Sequence, residues 1–237
     1  MKYIIANFKL NGDSRFILNY AKQISKLASS TNNMMIALPN CYLHFSNDFA
    51  KHKIQVGAQN VSEYISGSFT GEISANMIQD LGAKFVIVGH SERRHIFGET
   101  DQQIAAKVEN LANTNLKTIL CVGEKLEDKS RFKSVVGSQL RSALKNANYN
   151  NLIIAYEPVW AIGTGQTATL SDIIRVHEYI KEFVKKNYNV DIPVVYGGSV
   201  KPNNSIKILG LDCVDGVLVG GASLKPYDFS LIYNSQF

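Results

Sequence analysis

Five short stretches of the chain carry groups that can do chemistry. Asn7-Phe8-Lys9 offers an amide and an ammonium, and Gly89-His90-Ser91-Glu92-Arg93-Arg94 offers an imidazole with a carboxylate two residues on. Glu157-Pro158-Val159-Trp160 offers a second carboxylate. Gly197-Gly198-Ser199 and Gly220-Gly221-Ala222-Ser223 offer backbone N–H groups with no Cβ beside them, which a phosphate can approach closely. A carboxylate, an imidazole, an ammonium and a phosphate cradle together suit proton abstraction beside a carbonyl on a small phosphorylated molecule.

Each of these residues also has a plainer explanation. Glu157 ends the apolar run Ile153-Ile154-Ala155-Tyr156, where a carboxylate must be used or paired to offset its desolvation. A structural Arg or Lys partner would satisfy it equally well. His90 opens a helix with Ser91 and Glu92 in its first turn. The helix's positive end, and Lys9 nearby, are expected to lower its pKa and hold the ring neutral. Lys9 beside Asn7 reads as an electrostatic group rather than a surface lysine. Either glycine pair alone would be a tight turn; two at corresponding places read as a cradle.

No metal or cofactor is expected. His44, His52, His95 and His177 have no ligand spacing, and His90 and His95 are five apart, which does not stack two ligands on one helical face. Gly163-Thr164-Gly165-Gln166-Thr167-Ala168 spells a dinucleotide-like pattern, but it begins too far beyond the preceding strand. The stretch from Pro158 to Ala168 reads as a lid instead.

Eight short apolar runs must position these groups: Tyr3–Ala6, Met34–Leu38, Ile54–Gly57, Phe85–Val88, Thr118–Val122, Leu152–Tyr156, Val194–Tyr196 and Gly216–Val219. None alternates with polar residues, so both faces are expected to be buried, as in a parallel sheet. Helical periodicity fills the intervals: Phe16, Ile17, Tyr20, Ile24 and Leu27 in one, and a helix over Leu170–Lys186 capped by Ser171 in another. Helices are also expected over Gln102–Ala112 and Val135–Leu144, and a loop over Asn146–Asn151. Strand then helix, recurring about every 30 residues, predicts an α/β fold, one (β/α)8 barrel across residues 1–237. The chemistry-bearing stretches then share the face formed by the C-terminal strand ends.

Composition agrees with a globular chain. Apolar residues make up 45% and charged residues 19%, which excludes disordered and fibrous classes. The three cysteines, Cys41, Cys121 and Cys213, are scattered, with no Cys-x-x-Cys, which suits the reducing cytoplasm. Asn7 and Lys9 interrupt the first apolar run too early for a signal peptide, and no run is long enough to span a membrane. The net charge of +5 comes from dispersed lysines, so it reads as attraction of anionic small molecules rather than nucleic acid.

The motifs Asn7-Phe8-Lys9-Leu10-Asn11, Gly89–Arg94, Ala155–Gly165, Tyr196-Gly197-Gly198-Ser199-Val200 and Leu218–Ser223 resemble, in order and over nearly the whole chain, those of the triosephosphate isomerase family. The resemblance implies a cofactor-free isomerase of glycolysis and gluconeogenesis that interconverts dihydroxyacetone phosphate and glyceraldehyde 3-phosphate. It implies Glu157 as the base and His90 as a neutral electrophile. Lys9 and Asn7 would stabilise the oxyanion, and Glu92 would support the site. Gly163, Ser199, Gly220 and Gly221 would donate N–H groups to the phosphate. It also implies a homodimer, in which the loop Gly67-Ser68-Phe69-Thr70-Gly71-Glu72 sends Thr70 towards the partner's site.

Three positions depart from the family pattern. Phe8 stands where Trp is common, Gln166 where Lys is common in the lid, and Lys181 where Arg is usual, so a bidentate contact would become a single one. Two other readings compete: a Schiff-base aldolase with Lys9 as nucleophile, and an inactive barrel that senses phosphorylated metabolites.

Overall fold

A computed structural model describes residues 1–162 and 167–235. Eight parallel strands close into a barrel in sequence order, β1 (Tyr3–Asn7), β2 (Asn33–Leu38), β3 (Gln55–Ala58), β4 (Phe85–Val88), β5 (Lys117–Val122), β6 (Leu152–Tyr156), β7 (Val194–Tyr196) and β8 (Gly216–Val219). β1 pairs with both β2 and β8, which completes the ring. The predicted (β/α)8 barrel is the observed fold.

The helices among the described residues are α1 (Ser14–Leu27), α2 (Ser46–Ala50), α3 (Ala75–Asp80), α4 (Ser91–His95), α5 (Asp101–Ala112), α6 (Phe132–Leu144), α7 (Leu170–Tyr188), α8 (Pro202–Leu209) and α9 (Pro226–Tyr233). The strands are buried on both faces, which is why they show no polar alternation. Ile5, Met35, Phe85, Ile87, Ile119, Ile153 and Leu218 form an inner cluster filling the barrel. Ile4, Ile36, Val86, Leu120, Ile154 and Val219, from the other strand face, join the helices' apolar stripes in the main core.

The first helix starts where its cap dictates: Asp13 accepts the Phe16 N–H at 2.7 Å. Its buried face is Ile17, Tyr20, Ala21 and Ile24. The start of α7 differs from the expectation. Its cap is Thr169 rather than Ser171, because Thr169 Oγ1 accepts the Asp172 N–H at 3.1 Å while the Asp172 carboxylate reaches back to Thr169. That reciprocal box satisfies more free N–H groups than a lone serine can. The Asn-rich loop contains one 3-10 turn, Tyr149–Asn151.

Two departures from the family pattern now have surroundings. Phe8 is fully buried and packs edge-on against Tyr20, with ring centroids 4.8 Å apart. On α7, Lys181 Nζ lies 2.7 Å from Asp215 Oδ2, a single ion pair. The same oxygen accepts the Val194 N–H at 2.8 Å and so ties the pair to β7.

Candidate active site

Lys9 leaves β1 in the left-handed region, with φ of +52°. The cause is local: Asn7 Oδ1 accepts the Lys9 N–H at 2.9 Å and turns the chain. Non-glycine residues adopt this conformation rarely, and such strain clusters at functional sites. The turn brings Lys9 Nζ to 2.5 Å from Glu92 Oε1.

His90 is positioned from β4. Gly89 takes a φ of +69°, which lets the chain turn sharply into α4. His90 is the N-cap of that helix: its Nδ1 accepts the Glu92 N–H at 3.2 Å. The ring proton therefore belongs on Nε2, which lies 3.0 Å from Glu157 Oε1. Arg94 braces the segment by donating to the Gly89 and Cys121 carbonyls and pairing with Asp101.

Glu157 directly follows β6 and is 2% exposed. Its Oε2 accepts the Ser91 N–H at 2.8 Å. Burial pushes its pKa up. His90, the Ser91 N–H and Lys9 together outweigh burial and hold the carboxyl below its ordinary range.

The imidazole runs against expectation. Burial pushes its pKa down, and Lys9 acts in the same direction. The Glu157 carboxylate in contact with it, followed by Glu92, pushes harder the other way, so the net shift is upward. The helix end and Lys9 alone would hold the ring neutral, and the carboxylate touching Nε2 reverses the shift.

These groups converge on a cavity of about 460 Å³. Asn7, Lys9, His90, Glu157, Ser199, Gly220 and Gly221 all line it. Glu92 lies behind, against Lys9 and His90. Gly163 and Gln166 fall outside the described residues. The two glycine pairs turn out to differ. A Cβ on Gly197 would stand 2.9 Å from Glu157 Cγ, and one on Gly198 would stand 2.2 Å from the Tyr196 hydroxyl, so packing requires glycine at both positions, which also line the cavity. A Cβ on Gly221 would meet nothing within 4 Å, which leaves its backbone open to the cavity.

Glu124, two residues beyond β5, belongs to this end of the barrel although it is absent from the five sequence stretches. It is 1% exposed, and its Oε1 accepts from both the Tyr156 hydroxyl and Trp160 Nε1, each at 3.0 Å. Burial raises its pKa despite those donors. Glu124 thus anchors the residues on either side of Glu157-Pro158. Its signal was available, since Gly123-Glu124 follows β5 just as Glu157 follows β6. Ser91, expected in the first turn of a helix, holds Glu157 through its N–H rather than its hydroxyl.

Eight parallel strands with a carboxylate, an imidazole and an ammonium gathered at their C-terminal ends define a barrel enzyme. The chain matches the family described as triosephosphate isomerase over residues 2–236. It is 40% identical to the triosephosphate isomerase of Francisella philomiragia, over 98% of this chain and 96% of that one. With the triosephosphate isomerase of Halorhodospira halophila it shares 41% identity, over 99% and 97% of the two chains. The chain belongs to the triosephosphate isomerase family.

Proposed function

We propose that this chain interconverts dihydroxyacetone phosphate and D-glyceraldehyde 3-phosphate by proton transfer through an enediol(ate), with Glu157 as the base. The observation that carries the reading is the convergence of Glu157, His90 and Lys9 on one cavity with Ser199, Gly220 and Gly221. Glu157 takes the proton from one carbon and returns it to the next. As it stands it is a weak base, because Ser91 and His90 hold its charge. Substrate that displaces these donors frees its basicity. General base catalysis supplies about 10²- to 10⁴-fold, and each well-aimed oxyanion donor roughly 10²- to 10³-fold more. The Nε2–H of His90, with Lys9 and Asn7, supplies those donors.

Ser199, Gly220, Gly221 and Gly163 are proposed to donate N–H groups to the phosphate, and Glu92 to keep Lys9 and His90 in place. Lys9 sits in an ion pair with Glu92, the arrangement of an electrostatic group rather than of a free amine nucleophile. The chemistry needs only these side chains, so no cofactor is proposed, and residues 1–237 act as one catalytic domain.

The proposed assembly is a homodimer. The loop Gly67–Glu72 is exposed, with Phe69 stacked 3.6 Å from Tyr64, and Ile65, Ile96 and Phe97 are also exposed. Thr70 at its tip would reach the partner's site. We place the reaction in the cytoplasm, on the strength of three free cysteines. No helix among the described residues is long and apolar enough to cross a membrane.

The test is a coupled isomerase assay on purified protein in both directions, with borohydride added in a parallel sample. Turnover with no trapped adduct supports the reading. A covalent borohydride adduct at Lys9 would indicate a Schiff base, and absence of turnover would indicate a binding protein.

A further inference from the structure

A site that collects a phosphate dianion needs net positive field at its mouth, and the deep groups of this cavity supply little. Lys9 already faces Glu92 at 2.5 Å, so from outside the two nearly cancel. Glu157 adds a buried carboxylate held by His90 and the Ser91 N–H. What remains inside is short-ranged N–H donation.

Two more cations line the same cavity, Lys201 and Lys225, against one anion, Asp228. Both lysines are exposed. No ion pair among the described residues includes Lys201 or Lys225, so neither is neutralised.

Their position works against local helix chemistry. Lys201 is the N-cap of α8 and Lys225 the N-cap of α9. N-caps favour Ser, Thr, Asp or Asn, and the positive end of a helix repels a cation. Breaking that rule twice at one rim points to function rather than to helix stability. The rim backbone is also fixed: Asn204 accepts the Lys201 N–H at 2.8 Å and donates to the Ser199 carbonyl at 3.1 Å. Asn204 therefore ties Lys201 to the proposed phosphate donor Ser199.

We propose that Lys201 and Lys225 form an outer capture pair for phosphomonoester dianions, drawing substrate to the cavity before Lys9 and the inner N–H groups take it. The pair touches neither reacting carbon. It acts on capture and not on proton transfer, and it makes the substrate's charge, rather than its carbon skeleton, the first thing selected. This rests on the isomerase reading.

The test is Lys201→Gln with Lys225→Gln, singly and together. kcat and kcat/KM are measured from low to high ionic strength, and inorganic phosphate is titrated by calorimetry. Electrostatic steering is worth about 10- to 1,000-fold at low salt. We expect the double variant to lose about tenfold in kcat/KM at low salt, to converge with the wild type at high salt, and to keep its kcat. Phosphate affinity should fall in the same order, and thermal stability should hold or rise once the cations leave the helix starts. An unchanged salt slope overturns the proposal, as does a kcat loss that persists at high salt. If the wild type shows no turnover, the isomerase reading fails. The phosphate titration then decides the capture pair alone, and equal affinity in wild type and double variant overturns it.

Discussion

His90 Nε2 and Glu157 Oε1 are 3.0 Å apart, so the proposed electrophile and the proposed base hold each other. Each shifts the other: the carboxylate lifts the imidazole above its ordinary pKa, and the imidazole helps hold the carboxyl down. In the free protein His90 should titrate above about 6.5. Glu157→Gln removes the larger of the two raising charges, and burial with Lys9 then outweighs Glu92, so the titration should drop below that value. Ring-labelled ¹⁵N NMR from pH 5 to 9 reads both. An imidazole that titrates identically in the two proteins would show that the pair is not coupled.

Lys9→Met keeps most of the apolar stem and removes the charge. Glu92, with its side chain 38% exposed, can be resolvated by water, so the fold should survive. Turnover should fall by at least about 10²-fold, the scale of one oxyanion donor. Circular dichroism and a coupled assay check both halves. An unfolded variant would make Lys9 structural.

His177 on α7 gives a pH-dependent stability outside the site. It is fully buried between Tyr156 and Tyr196, and its Nδ1 lies 3.3 Å from the Cys213 carbonyl. Burial pushes its pKa down to about 4, with the Cys213 carbonyl opposing, Lys181 lowering and Asp215 raising it. The unfolded chain binds this proton below about 6.5 while the folded chain does not. Stability from the neutral ring is therefore complete above about 6.5 and lost as pH falls towards 4, to about 3 kcal/mol. Thermal melts across that window should slope less steeply in His177→Gln. Parallel slopes would remove His177 as the cause.

The proposed dimer can be tested through its loop. Phe69→Glu with Thr70→Glu places two charges at the exposed tip and leaves Gly67 and Gly71, both at positive φ, untouched. Sedimentation should show monomers, and their isomerase activity should be low, because Lys9 and Glu92 lose a neighbouring support. Fully active monomers would separate the site from the assembly.

The barrel was legible because uninterrupted apolar runs leave few alternatives to a parallel sheet, and because the strand ends carry the polar residues. Lys9, His90 and Glu157 stood out for the same reason. The Thr169 cap was not legible, since Ser171 offers a similar hydroxyl and only the reciprocal bond with Asp172 decides between them. The direction of the His90 shift was equally hidden: it depends on which rotamer of Glu157 faces the ring, a tertiary contact between residues 67 apart in sequence. Gly197 and Gly198 line the cavity as a cradle would, and the packing of Glu157 and Tyr196 against them was hidden, because no periodicity reports what lies against a missing Cβ.

The most direct test of the account is the turnover of Glu157→Asp in the coupled isomerase assay, alongside wild type. The substitution keeps the charge and withdraws the carboxylate by one methylene, and misplacement of about 1 Å costs about 10²-fold. The kcat of Glu157→Asp should be lower by that factor, with phosphate affinity unchanged. A Glu157→Asp protein that turns over at the wild-type rate would contradict Glu157 as the base.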